Sequence, residues 1–314
     1  MQRLSSIKSL KRAAKILKPM ISHLTSKTRT EMAFAERPNP TSKGISVSEA
    51  LSRFDEDSSE EFLKELIASS STSEAALADQ IPLPSEADRE GYYEGQPYLY
   101  WLFGFHDYNN VRTHVDDIPR NGRILDFGGS SGRVMRHFAN NHPEMEVIVA
   151  ERFLSAVEFI NNYFPSNAYA LPVFSQPHLA LEDNSCDLVT AFSVFTHIDN
   201  EEIAWLSELR RILKKGGIAY LTIHSEHTWS NLEGTVLEGL IRACPTFDST
   251  MSFNEDMPGD RIVFQPRGFD QRGINVFHSS EYIKRIWGRI LKIRKLIPAG
   301  HGNQTVVMLE KIEQ

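Results

Sequence analysis

The chain has 314 residues, a formal net charge of -7, 41% hydrophobic and 24% charged residues. That balance builds an ordinary globular core and disfavours a general nucleic-acid surface. Two cysteines, Cys186 and Cys244, exclude a disulfide framework and point to a reducing, cytoplasmic compartment; no apolar run is long enough for a bilayer, and none marks a secretory signal.

Residues 1–35 form a basic segment. Up to residue 30 it holds Lys and Arg but neither Asp nor Glu, and Leu4, Ile7, Leu10, Ala14, Leu17, Ile21 and Leu24 fall on one helical face, with Pro19 as a kink or stop. Such a helix can pack on the body, act as a targeting segment, or make peripheral contact with an anionic membrane through residues 1–30. Residues 36–91 are expected to be a linker, "ERPNPTSKGIS", and an acidic helical region with a capping box at Ser58 and Glu61. The main domain spans 92–314. It opens on an aromatic stretch, 92–115, expected as a helix in two pieces.

From residue 122 short apolar runs alternate with amphipathic helices. "RILDF", "EVIVA", "AYALPVF", "CDLVTAFSV" and "IAYLTIH" have the composition of strands; "SGRVMRHFANN", "FLSAVEFINNYF" and "NEEIAWLSELRRILKK" have helical spacing, the last ending at Gly216-Gly217. An insertion at about 226–278 forms a cap, followed by a helix and two strands joined by only a few residues. So short a connection makes the final strand antiparallel to its predecessor. The pattern is an α/β, doubly wound, mostly parallel sheet with the last strand antiparallel, a helical N-terminal extension and a cap.

The stretch "RILDFGGSSGRV" carries the chemistry. Gly128-Gly129-Ser130-Ser131-Gly132 matches G-x-S-x-G, the elbow of a serine hydrolase. However, it follows the first strand of the sheet, with no oxyanion-hole loop before it. A dinucleotide fingerprint fails because Ser130 and Arg133 stand where glycine is needed. A glycine loop beside a nucleoside-like cofactor fits better. Asp126 ends the strand, Gly128 and Gly132 flank the turn, and Glu151 ends the next strand, where a carboxylate can accept from a ribose diol.

On "ILDFGGSSGR", Glu151, "CDLVTAFSVFTHI" and "ELRRILKKGGIAYLTIH", the chain resembles the class I S-adenosylmethionine-dependent methyltransferases over about residues 120–225. The resemblance departs at Ser130, where that family usually has glycine. It implies S-adenosyl-L-methionine as cofactor, with Asp126, Gly128, Gly129, Ser130 and Gly132 around its methionine part. It also implies Glu151 on the ribose, Arg152 or Phe153 on the adenine, with Ser175 or Gln176 as further candidates, and Phe192 in the fourth-strand loop. Two histidines stand beyond strand ends as candidate bases, His197 in "SVFTHI" and His224 in "LTIHSEH". No metal is called for. The expected acceptor is an oxygen, with nitrogen as second choice, of a small molecule or glycan, held by the aromatic segment and the cap. The rival readings are a hydrolase using Ser130 and a non-catalytic binding module.

Overall fold

The computed structural model describes residues 44–54, 70–89, 93, 95–266 and 273–313. The basic segment 1–35, the membrane contact through 1–30 and the Ser58–Glu61 capping box lie outside them.

Among the described residues, three α-helices precede the sheet: α1 (Val47–Ser52), α2 (Ser70–Ala78) and α3 (Pro97–His114). Pro97 starts α3, where a missing N–H costs nothing. Tyr98, Tyr100, Trp101 and Tyr108 of α3 are buried in one apolar cluster with Val47, Ala50 and Ala76, so these rings are chiefly core. Inside this layer the Asp79 carboxylate accepts from Arg136 Nε and Trp101 Nε1, both at 2.8 Å, which satisfies a buried charge pair.

The sheet is built from β1 (Arg123–Phe127), β2 (Glu146–Glu151), β3 (Ala168–Pro172), β4 (Cys186–Ala191), β5 (Leu213–Ile223), β8 (Lys292–His301) and β9 (Gln304–Glu310), in the order β3-β2-β1-β4-β5-β9-β8. β1, β2 and β4 have near-continuous apolar runs because helices cover both faces. α4 (Met135–Asn141) and α5 (Leu154–Tyr163) pack with α3 on one face. On the other, α6 (Glu202–Ile212) buries Trp205, Leu206, Leu209 and Ile212 against Leu125, Val189 and Leu221. β9 lies between β5 and β8 and is antiparallel to both. The family resemblance and the short β8–β9 turn anticipate this placement.

The cap comprises α7 (Glu226–Ser230), α8 (Val236–Arg242) and a hairpin of β6 (Arg261–Phe264) and β7 (Asn275–His278). Trp229, Phe253, Phe264 and Phe277 form its own apolar cluster. α9 (Ser280–Arg285) then leads through a short turn to β8.

Three local expectations differ from the structure. The aromatic stretch is one helix from Pro97, and Gly104 does not break it. A Cβ at Gly104 would stand 2.2 Å from the Arg133 carbonyl oxygen, so this glycine lets α3 lie against the loop after β1. The helix after the glycine loop begins at Met135, three residues past Gly132, because the chain makes turns first. α6 stops at Ile212, and Leu213 through Gly217 belong to β5, with Gly216 at φ +81 and the register shifting beside it.

Candidate active site

The strand order reverses between β1 and β4, and a crevice opens there beyond the carboxyl ends of the strands. This cleft has a volume of about 1130 Å³ and is lined by Gly128, Gly129 and Ser130 after β1, Glu151 to Phe153 after β2, Ser175 after β3, and Phe192 and His197 after β4. It also takes in Asp126, Arg133 and Tyr100.

The glycines leave no room for side chains. At Gly128, φ is +71 and a Cβ would meet Val194 Cγ2 at 2.5 Å; at Gly129 it would meet Asp126 Oδ2 at 2.5 Å; at Gly132, φ is +79 and it would meet the Phe164 ring at 2.5 Å. Ser130 adopts φ 48, the left-handed region that a middle glycine would enter freely. That conformation turns its N–H to donate to Glu151 Oε2 at 2.8 Å. The N–H groups of Arg152 and Phe153 donate to Glu151 Oε1 at 2.6 and 2.9 Å. The carboxylate of Glu151, nearly buried, therefore ties two strand-end loops together at the wall of the cleft.

Burial pushes the Asp126 carboxyl up to about 7, although the Thr190 hydroxyl donates to Oδ1 at 2.7 Å and favours the ion. Ser130 Oγ is buried with no hydrogen-bond partner among the described residues. A serine nucleophile needs a base within hydrogen-bonding reach, so the hydrolase reading lacks its second half.

Residues 125–221 match the family model of a methyltransferase domain. The match runs from β1 into β5 and so covers the glycine loop, Glu151 and the loop after β4. Over these residues the chain carries a methyltransferase domain.

No curated protein is matched by the sequence. Among solved structures, one similar to this methyltransferase is a SAM-dependent methyltransferase from Methanosarcina mazei, with 16% identity, 64% of this chain and 98% of that one covered, and a TM-score of 0.47. Another is the 1,6-didemethyltoxoflavin-N1-methyltransferase of Burkholderia thailandensis with 1,6-didemethyltoxoflavin and S-adenosylhomocysteine bound, at 9%, 73%, 85% and 0.48 in the same order. A third is a SAM-dependent methyltransferase from Aquifex aeolicus, at 12%, 76%, 98% and 0.43.

The cofactor, S-adenosylmethionine, supplies an activated methyl group on a sulfonium sulfur. The cleft fits it on three grounds in this methyltransferase: its size, a loop stripped of side chains at Gly128 and Gly129, and the unpartnered hydroxyl of Ser130. Arg152 lies 5.0 Å over the Phe153 ring at the mouth, so the pair forms one stacked surface.

The two candidate histidines separate. His197 lines the cofactor cleft, with Nδ1 at 2.6 Å from the Ile274 carbonyl. His224 instead lines a second cavity of about 430 Å³. It stacks on Phe277 with centroids 4.9 Å apart, and its Nδ1 is buried without a hydrogen-bond partner among the described residues. Burial first, then the neighbouring imidazoles of His197 and His278, pulls its pKa down to about 3. An imidazole that weakly basic is a poor proton acceptor near neutral pH.

The second cavity is walled by Phe103, Leu232 and Leu237 among others, and Tyr93 and His301 line both cavities. His301 and its partner Asp107 are missing from the sequence reading. Their side chains meet at 2.9 Å across 194 residues of chain, and Arg133 Nη1 donates to the other Asp107 oxygen at 2.6 Å. No local motif marks them: His301 sits in a tight hairpin and Asp107 inside an aromatic helix.

Proposed function

We propose that this methyltransferase passes its methyl group to an acceptor held in the 430 Å³ cavity, on oxygen first and nitrogen second, and that the acceptor is a small molecule or the end of a glycan. The observation that carries the reading is the shared wall: Tyr93 and His301 line both the cofactor cleft and this cavity, so the two ligands meet there. An in-line approach to an already activated methyl needs chiefly positioning, and two adjoining, pre-formed pockets supply it. The cavity is within the size range of small-molecule sites.

In this reading the main chain of Gly128, Gly129 and Ser130 holds the methionine part beside Asp126, with Gly132 setting the turn. Glu151 faces the ribose, Arg152 and Phe153 the adenine, and Phe192 the reacting end. His224 and His197 shape their cavities; the pKa of about 3 at His224 argues against proton transfer there. The two free, buried cysteines support the cytoplasm as the compartment. Contact of residues 1–30 with an anionic membrane belongs to the same proposal, and vesicle flotation of the full chain against one lacking those residues tests it.

Calorimetric titration with S-adenosylhomocysteine tests the cofactor half. Glu151→Ala should weaken binding tenfold or more, a loss of about 1.4 kcal/mol. Leu237→Trp tests the acceptor half. The bulkier ring should fill the second cavity and abolish transfer while the cofactor titration stays unchanged. Transfer that survives Leu237→Trp would place the acceptor elsewhere.

A further inference from the structure

We propose that His301 is the general base of the transfer and Asp107 its positioning residue, so that the acceptor is a molecule with an ionisable hydroxyl on an apolar, ring-sized body. This rests on the acceptor reading above. His301 ends β8 at the hairpin into β9, and its imidazole lines both cavities at their common wall. Phe192, from the cofactor side, packs against it with centroids 5.1 Å apart.

The tautomer follows from the partner. Burial alone would raise the Asp107 carboxyl, but the Arg133 guanidinium and then His301 outweigh it and hold it at about 2. An ionised carboxylate only accepts hydrogen bonds, so the nitrogen 2.9 Å from it, Nδ1, carries the hydrogen. The lone pair of a neutral imidazole then lies on Nε2, which has no hydrogen-bond partner among the described residues. A carboxylate that fixes the tautomer and supports the imidazolium is the arrangement a general base requires. Arg133 fixes the carboxylate in turn, at 2.6 Å.

The other titratable groups on the imidazole's surroundings are His106 on α3, Tyr93 ahead of α3, His224 beyond β5, and Tyr220 on β5, which packs with Phe192. His106 shares a hydrogen bond with Asn110, and His224 has no carboxylate partner among the described residues. Among these imidazoles only His301 combines a carboxylate on one nitrogen with a place at the junction of the cavities. The cavity walls from Phe103, Leu232 and Leu237 suit an apolar body carrying the hydroxyl.

The hydroxyl proton passes to Nε2 as an oxygen electron pair forms the bond to the methyl carbon. The carbon–sulfur bond breaks, its electron pair stays on sulfur, and S-adenosylhomocysteine is released. The imidazolium returns its proton to solvent.

The experiment uses the full chain, S-adenosylhomocysteine in place, and 4-nitrophenol as a probe whose anion is coloured. The wild type should bind the phenol and move its ionisation midpoint at least one pH unit below that of the free probe, a tenfold shift. His301→Gln should bind S-adenosylhomocysteine within about threefold of wild type, bind the phenol, and leave the midpoint where it is in solution. Asp107→Asn should bind S-adenosylhomocysteine and the phenol and lose most of the phenol midpoint shift, because the carboxylate that fixes the imidazole tautomer is gone. Equal phenol midpoints in wild type and His301→Gln, or no phenol binding by the wild type, would overturn the proposal. Phenol binding that ignores Leu237→Trp would show that the acceptor cavity itself is misassigned, a separate failure.

Discussion

A methyl group added to Gly129 would stand 2.5 Å from Oδ2 of Asp126, and neither strand-end backbone nor buried carboxyl can retreat cheaply. Gly129→Ala should therefore lower the melting temperature and weaken S-adenosylhomocysteine tenfold or more by calorimetry. Asp126 itself has a pH signature. Its folded-state pKa of about 7 lies above the ordinary carboxyl value, so the folded chain keeps a proton that the unfolded chain has lost. Stability present below about pH 4 is thus lost as pH rises through about 7. Asp126→Asn, which keeps the acceptor for Thr190, should be more stable than wild type at pH 8, on the order of a few kcal/mol. That advantage should shrink towards pH 4. Denaturant melts at the two pH values decide it, and a pH-independent gap would refute the buried-proton account. Ser130 shows how far residue chemistry can be read from the sequence. The departure from glycine is visible there, but the backbone N–H aimed at Glu151 is not, because a φ of 48 is set by what the loop packs against.

At the scale of elements, one buried side chain of the sheet layer gathers several groups from the cap and the turn beyond it. Glu202 opens α6 and pairs with His278 Nε2 of β7 at 2.9 Å, Arg261 Nε of β6 at 2.8 Å, and Trp287 Nε1. Burial would raise its carboxyl, yet the bond from His278 and the further charge and hydrogen-bond donors outweigh that and hold it at about 2. Removing one member of a buried polar cluster strands the rest, so Glu202→Ala should cost about 3 kcal/mol in urea unfolding. The sign with pH is opposite to that of Asp126. A depressed carboxyl stabilises above its unfolded pKa and loses that contribution as pH falls towards about 2. The gap between wild type and Glu202→Ala should accordingly narrow between pH 6 and pH 3. The glutamate lies in an evident amphipathic helix, where its burial is hidden, because its partners arrive from the hairpin 59 and 76 residues later.

At the scale of the whole molecule, the cofactor cleft is assembled from loops after four strands, so its ligand should hold those loops together. A ligand that binds only the folded chain stabilises it by about 2.7 kcal/mol at a hundred times its dissociation constant. S-adenosylhomocysteine should raise the melting temperature of wild type clearly and that of Gly129→Ala little at the same concentration, a comparison that thermal-shift measurements make directly.

The sequence by itself determined what is local and periodic. The order of strands and helices from residue 122, the glycine loop after β1, the acidic end of β2 and the antiparallel last strand follow from apolar spacing, turn residues and connection length. The resemblance to methyltransferase domains follows from the same short motifs in order. Tertiary structure alone decided which side chains share a cavity. His224 lies beyond a strand end, as its position foretells, yet it faces an apolar pocket that strips it of basicity. His301 and Asp107 meet only because β9 inserts between β5 and β8 and brings the hairpin back over α3. Contacts of that kind depend on the three-dimensional path of the chain, and neither periodicity nor motif spacing records a pairing across 194 residues.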